Sequence, residues 1–289
     1  MAEAATPGPG GRPWTLYRGY AVLLLPPGLF LAVFFLWPLI RVVLRSLLEP
    51  HPGLANYGRV FGEAAFARAL SNTIETAGVV TVLCLVIAYP LAYAIARADG
   101  RRLKLFMIFV LVPLWTSAVI RSFGWMIVFQ RQGVLNDLLL ALGITHSRLT
   151  LLPGSLAVHV GMVHIMLPFM ILPLIAGMRG IDLNLMRAAD VLGAPPRRRF
   201  LEIFLPLSLP GVSAGVALVF MTSLGFFITP ALLGGARHTM AAVLIEEEAN
   251  VQLDWPLASA LATTLLIVTT VLYLVYLRLM RRSLPLIGR

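Results

Sequence analysis

An all-α polytopic membrane protein with six spans is the fold class this sequence predicts, and three observations predict it. Hydrophobic residues make up 59% of the 289 positions and charged residues 12%, with a mean hydropathy of +0.87; these values lie far outside those of a soluble globular chain. The apolar residues gather in six runs, each near or above the roughly 20 residues that carry a helix across a bilayer core of about 30 Å. The basic residues sit in short loops between those runs rather than on one extended surface. Membrane topology accounts for that pattern, so the net charge of +10 is not read as a nucleic-acid interface.

Residues 1–18 are rich in Ala, Gly and Pro and lack apolar periodicity; they are expected to form a disordered cytoplasmic tail. The first run, about Gly19 to Ile40, is long enough to span, and no small-residue cleavage site follows a short apolar core, so it is not read as a cleaved signal peptide. Further runs fall at roughly 72–96, 103–121, 150–177, 205–234 and 257–279, giving a transmembrane domain over 19–282 and a C-terminal tail over 283–289. Six spans put both ends on one side. The loops on that side, with the two tails, carry 15 of the 23 basic residues; the other eight are Arg41, Arg45, Arg59, Arg68, Arg121, Arg131, Arg148 and Arg237. The excess of positive charge therefore predicts cytoplasmic termini and a cytoplasmic 185–210 loop. Between the third and fourth runs, Trp125–Phe129 and Val134–Leu142 are apolar patches, read as a short helix at the outer face rather than a seventh span.

Several chemistries find no support. Lys104, the only lysine, has no preceding Gly and no following Ser or Thr, so a phosphate-cradling loop is absent and no ATP site is expected in this chain. His159 and His164 lie five residues apart, which turns them roughly 140° from one another on a helix, a poor arrangement for metal ligands. No metal site is expected. Neither a metalloprotease helix motif nor a nucleophile elbow occurs, and Cys84, the single cysteine, permits no internal disulfide. The chain is not read as an enzyme.

The most informative stretch is the polar interruption from Leu185 to Pro210, LMRAADVLGAPPRRRFLEIFLPLSLP. Leu185, Ala188, Ala189 and Leu192 share a face at helical spacing, and Gly193 ends that helix. Pro195 fits the first turn of a second short helix, where its missing N–H costs nothing. Pro206 and Pro210 are expected to mark the entry to the next span. Ala188-Ala189, three residues, Gly193, nine residues, Ile203, then Leu205-Pro206 resembles the cytoplasmic loop of the membrane subunits of binding-protein-dependent ABC importers. The family usually has Glu where this chain has Arg187. The resemblance implies a six-span importer-permease fold in which the 182–206 loop carries the coupling helix. It further implies two partner ATPase subunits that hold ATP and Mg, a second, homologous permease subunit in a heterodimer, and an extracytoplasmic solute-binding protein, all at the inner membrane of a bacterium and in contact with its lipid.

Pro113–Trp125, PLWTSAVIRSFGW, and Met166–Asp182 are similar to stretches of spermidine/putrescine-type permeases, as is Asp254-Trp255-Pro256. On that likeness Trp115, Thr116, Ser117, Arg121, His164, Glu246, Asp254 and Trp255 are candidates for the translocation path. Counting from Leu103 along one straight helix places Arg121 roughly 27 Å away, near the outer interface. Glu246, Glu247 and Glu248 are read first as a solvated loop; a vestibule for a cation, formed by carboxylates and the Trp255 ring, is the sharper alternative. Gly211 and Gly215 are expected at a close helix contact, either within the chain or between two permeases. A self-sufficient secondary carrier or channel remains the competing class, although no internal repeat favours it.

Overall fold

The computed structural model describes residues 24–283. The expectations for residues 1–18, for the start of the first run and for 284–289 lie outside the described residues. Among the described residues all regular structure is helical: α1 (Leu24–Leu48), α2 (Ala55–Gly62), α3 (Ala64–Ala96), α4 (Gly100–Trp115), α5 (Ala118–Phe129), α6 (Val134–Ala141), α7 (Ser155–Arg179), α8 (Leu183–Val191), α9 (Pro196–Leu224), α10 (Ile228–Leu233), α11 (Ala241–Asn250) and α12 (Trp255–Ser283). Five of these, α1, α3, α7, α9 and α12, are long and apolar enough to cross a membrane, and α4 with the α5–α6 segment makes a sixth candidate bent by 95°.

The core is a three-helix contact of α3, α7 and α9. Val158, Met162, Met166, Met170, Leu174 and Met178 are buried on α7 every fourth residue, forming one i±4 ridge. Small residues on the neighbours make the matching grooves: Ala77, Cys84, Ala88 and Ala92 on α3, and Ser208, Gly211 and Gly215 on α9. Unbranched methionines fill such irregular gaps well. The closest backbone approach of α7 and α9 is Gly177 to Gly211, where a Cβ on Gly177 would lie 2.8 Å from the Gly211 Cα; a Cβ on Gly215 would meet the Met170 sulfur at 2.7 Å. The expected close contact is thus within the chain. A second cluster, Val60, Phe66, Ala241, Leu257, Ala260 and Leu261, joins α2, α3, α11 and α12 at the end of the bundle away from the α8 hairpin, called here the distal end.

Several expectations are corrected. The first span continues past Ile40 to Leu48, so Arg41 and Arg45 are helical residues rather than loop residues. Likewise Arg68 lies within α3, which begins at Ala64. The third run is not one straight helix: α4 stops at Trp115, Thr116 is extended, and Ser117 caps α5 by accepting a hydrogen bond from the Val119 N–H. Pro113 withholds an amide hydrogen from the last turn, while the Thr116 N–H and hydroxyl both donate to the Pro113 carbonyl and close it. The straight-helix depth for Arg121 therefore does not hold. The outer segment contains two helices, α5 and α6, rather than one, and the three glutamates lie on α11 rather than in a loop.

The fifth span is displaced as well. The second arm of the hairpin and the span are a single helix, Pro196–Leu224, and residues 228–233 form the separate α10. Pro195 is the N-cap and Pro196 takes the first turn. Pro206 lies inside the helix because Phe200–Phe204 is a π-turn, with the Leu205 N–H donating to the Phe200 carbonyl. The same device precedes Pro38 in α1, where Ala32–Leu36 is a π-turn and the Trp37 N–H donates to the Ala32 carbonyl. Widening one turn makes room for a ring that would otherwise strike the carbonyl four residues back.

Candidate functional site

Two sets of candidate residues lie at opposite ends of the bundle. At the hairpin end, Asp182 caps α8 by accepting from the Asn184 N–H at 2.9 Å, which satisfies one of the free amides at a helix start. The helix ends as the sequence predicts: Gly193 has φ +78°, and the N–H groups of Gly193 and Ala194 donate to the carbonyls of Asp190 and Ala189. A residue with a Cβ is disfavoured in that conformation. Arg187 and Ala188 are exposed and Ala189 is half-buried; among the described residues the polar contact of the Arg187 side chain is a 3.3 Å bond donated to Asn184. The tip is apolar, with Val191 and Leu192 88% and 87% exposed, and nothing among the described residues covers them.

The return arm is held to the bundle. Arg199 pairs with Asp190 at 2.8 Å and so bridges the two arms, and Arg198 pairs with Glu202 at 3.1 Å. Phe200 and Phe204 pack edge-on against Tyr93, with centroids 5.7 and 4.9 Å apart, and the Arg97 guanidinium lies 4.1 Å over the Tyr93 ring. Tyr89 and Ser208 share a 2.9 Å hydrogen bond. Ile203, Leu205 and Pro206 are half-buried along this seam. Met186 packs against the core; residues 187–195 project, while Phe200, Phe204 and Ser208 hold the return arm to α3.

The distal candidates divide into two groups. Around α5, the Trp125 indole N–H donates to His164 Nδ1 at 3.1 Å, and Ser122 shares a 2.8 Å hydrogen bond with Thr229, which pins α5 to α7 and α10. Arg121 lies within the electrostatic reach of His164, and its Nε and Nη1 are buried without a hydrogen-bond partner among the described residues. Trp115 is 86% exposed at the break, beside the capping Thr116 and Ser117. The other group gathers at the start of α12. The Asp254 carboxylate accepts from the Leu257 N–H and pairs with Arg59 at 2.8 Å, and the Arg45 guanidinium lies 5.5 Å from the Trp255 ring. Among the described residues Glu246 receives a 3.5 Å contact from Asn250. No hydrogen bond, ion pair or ring contact joins the two groups among the described residues. No cluster of metal-ligating side chains occurs among those residues either.

The charges at α12 shift accordingly. Burial raises the Asp254 carboxyl, but the Arg59 hydrogen bond, the Leu257 N–H and the Arg59 charge outweigh it and hold the group below its ordinary value. Arg59 is raised in return, first by the Asp254 hydrogen bond. Glu248 is raised, by burial and then by the neighbouring Asp254 and Glu63 charges. Thus the ring and carboxylate predicted for a cation vestibule are already engaged by this chain's own arginines. Two features escaped the sequence reading: the Arg59 partner, 195 positions from Asp254, and Glu75, a lone carboxylate in an apolar span whose signal was in plain view.

Known proteins bear on this geometry. Residues 88–287 match the family described as binding-protein-dependent transport system inner membrane component. The spermidine/putrescine transport system permease protein PotB of Haemophilus influenzae is 34% identical over 225 residues, 78% of each chain. PotB of Escherichia coli is 35% identical over 228 residues, 79% of this chain and 82% of that one. A chain of a bacterial alginate ABC transporter, solved in complex with an alginate pentasaccharide-bound periplasmic protein, superposes with a TM-score of 0.74 over 94% of this chain and 95% of that chain, at 22% identity; this is a likeness of fold. The family match and the identity to the PotB proteins place this all-helical bundle of apolar spans in the binding-protein-dependent family, as a membrane-spanning permease of an ABC importer.

Proposed function

We propose that the permease imports a small cationic, polyamine-like solute handed over by an extracytoplasmic binding protein, and that α8 is where two partner ATPases drive it. The observation that carries the coupling assignment is the projecting hairpin: a helix capped at both ends, closed by Gly193, presenting the uncovered Val191 and Leu192. An apolar tip held rigidly away from the bundle suits insertion into a groove of another protein. Arg187, Ala188, Ala189 and Gly193 form the projecting part; Ile203, Leu205 and Pro206 anchor it to the spans. The hairpin end, with both termini, faces the cytoplasm, as the loop charges require. ATP and Mg belong to the ATPases, a homologous second permease completes the path, and the spans on either side of the hairpin tilt together during alternating access.

The solute class rests on the identity to PotB proteins. The test is co-purification: the chain expressed with its partners should retain an ATPase, and Val191→Asp with Leu192→Asp should release it while leaving thermal unfolding of the permease unchanged. Retention of the ATPase by the double variant would overturn the coupling assignment. A ligand screen on the associated binding protein tests the solute: a neutral or anionic ligand would overturn the polyamine reading alone.

A further inference from the structure

Glu75 is the only acidic residue of the 33-residue helix α3. It is exposed and, among the described residues, accepts no hydrogen bond and forms no ion pair. Ser71, Glu75, Val79, Val82 and Val86 form one exposed face of α3, whereas Thr73, Ala77, Val80, Cys84 and Ala88 are buried against α7 and α9. The carboxylate thus points away from its own bundle, above a face that is otherwise apolar toward the hairpin end. Counted from Ala96, it stands about 32 Å along the axis, at the distal edge of a hydrocarbon layer of about 30 Å.

A carboxylate so placed is costly against lipid and ordinarily faces water or a partner charge. Among the described residues no cation is in contact with it. Arg68 lies on the same face but about 10 Å further out along the axis, and its Nε donates to the Ala64 carbonyl. His159 lies within the electrostatic reach of Glu75, and its Nε2 is buried without a hydrogen-bond partner among the described residues. The contrast with Asp254 is informative: that carboxylate already holds Arg59, and Glu246 to Glu248 stand on α11, outside the spans.

We propose that Glu75 is the carboxylate that receives an ammonium group of the incoming solute at the outer mouth, and that the Ser71–Val86 face of α3 lines the path between the two permeases rather than lipid. This rests on the importer reading with a cationic solute. Charge pairing at a mouth with low-dielectric walls raises the local concentration of a cation, and the valines that follow offer nothing to hold it there. Release inward is therefore not opposed by a second fixed charge on this face.

The experiment uses the complete transporter in proteoliposomes with radiolabelled putrescine, together with membrane-impermeant thiol labelling. Glu75→Gln should raise the KM for uptake by about tenfold, the effect of losing one partly desolvated charge pair, with ATPase activity and binding-protein affinity unchanged; Glu75→Asp should recover most of it. Glu75→Cys should label from the aqueous phase, whereas Leu29→Cys on α1 and the buried native Cys84 should not. An unchanged KM in Glu75→Gln would overturn the carboxylate's role, and a protected Glu75→Cys would overturn the path-lining face. Absence of putrescine uptake by the wild-type transporter would instead remove the solute reading, and the carboxylate's role with it, while the labelling still decides the face.

Discussion

Helices α1, described from Leu24 onward, and α7 both pass as membrane spans, yet among the described residues none of the most apolar window of α1 is buried and half of that of α7 is. Hydropathy does not separate them. The difference lies in what each helix offers a neighbour. Along α7, Gly161 and Gly177 let another element come within contact of the backbone, and the methionine ridge fills the grooves opposite. Along α1 the large side chains between Leu24 and Leu36 are exposed, and among the described residues nothing lies within 4 Å of where a Cβ on Gly28 would stand. Inside a membrane, apolarity alone drives no association, because lipid is equally apolar; close packing decides which helix is central.

The sharpest trial of this contrast is the same substitution in both helices. Gly177→Leu forces a side chain into the Gly211 backbone, which cannot yield, and is expected to cost 3 kcal/mol or more, about the upper range of overpacking. Gly28→Leu meets open space and, with Leu the better helix former, should leave stability unchanged or raised by up to about 1 kcal/mol. Thermal unfolding in detergent measures both, and equal losses at the two glycines would refute the packing account. Gly193→Val, at φ +78°, should cost about 1–2 kcal/mol through the left-handed backbone and reduce ATP-driven uptake by more than that stability loss explains.

Smaller effects separate the two distal groups. Trp125→Phe removes the donor to His164 and should destabilise by about 1 kcal/mol, read as faster exchange of α5 amides. The Arg59–Asp254 pair is part-exposed, so a double-mutant cycle should return no more than about 1 kcal/mol. Its pH dependence has a definite sign. Asp254 is held below its ordinary value of 3.8, so the contribution is present above that pH and is lost as pH falls through the depressed value; Glu248, raised, contributes in the opposite sense. A cycle whose coupling grew on acidification would contradict the geometry.

The number of spans and the hairpin's glycine turn were legible because both are local. An apolar run declares its own length, and the Ala-Ala to Leu-Pro spacing declares a helix, a left-handed residue and a second helix. The break at Thr116 was not legible. Pro90, Pro168 and Pro173 lie inside continuous helices whereas Pro113 ends one within a turn, and the difference depends on the Thr116 side chain and on the docking of α5 against α7 and α10. Neither was Asp254's partner, because an ion pair spanning 195 positions leaves no trace in either neighbourhood. The fifth span began nine residues earlier than its apolar run because arginines at a bilayer surface disguise a helix that continues through them.

The π-turn at Phe200–Phe204 has a mechanical consequence. Without it, Pro206 would put a joint between the hairpin and the membrane, and movement at one would be dissipated as bending. With it, Pro196 to Leu224 runs as one unbroken helix of about 42 Å, so the arginine-rich foot and the opposite tip, beside α10, belong to a single element.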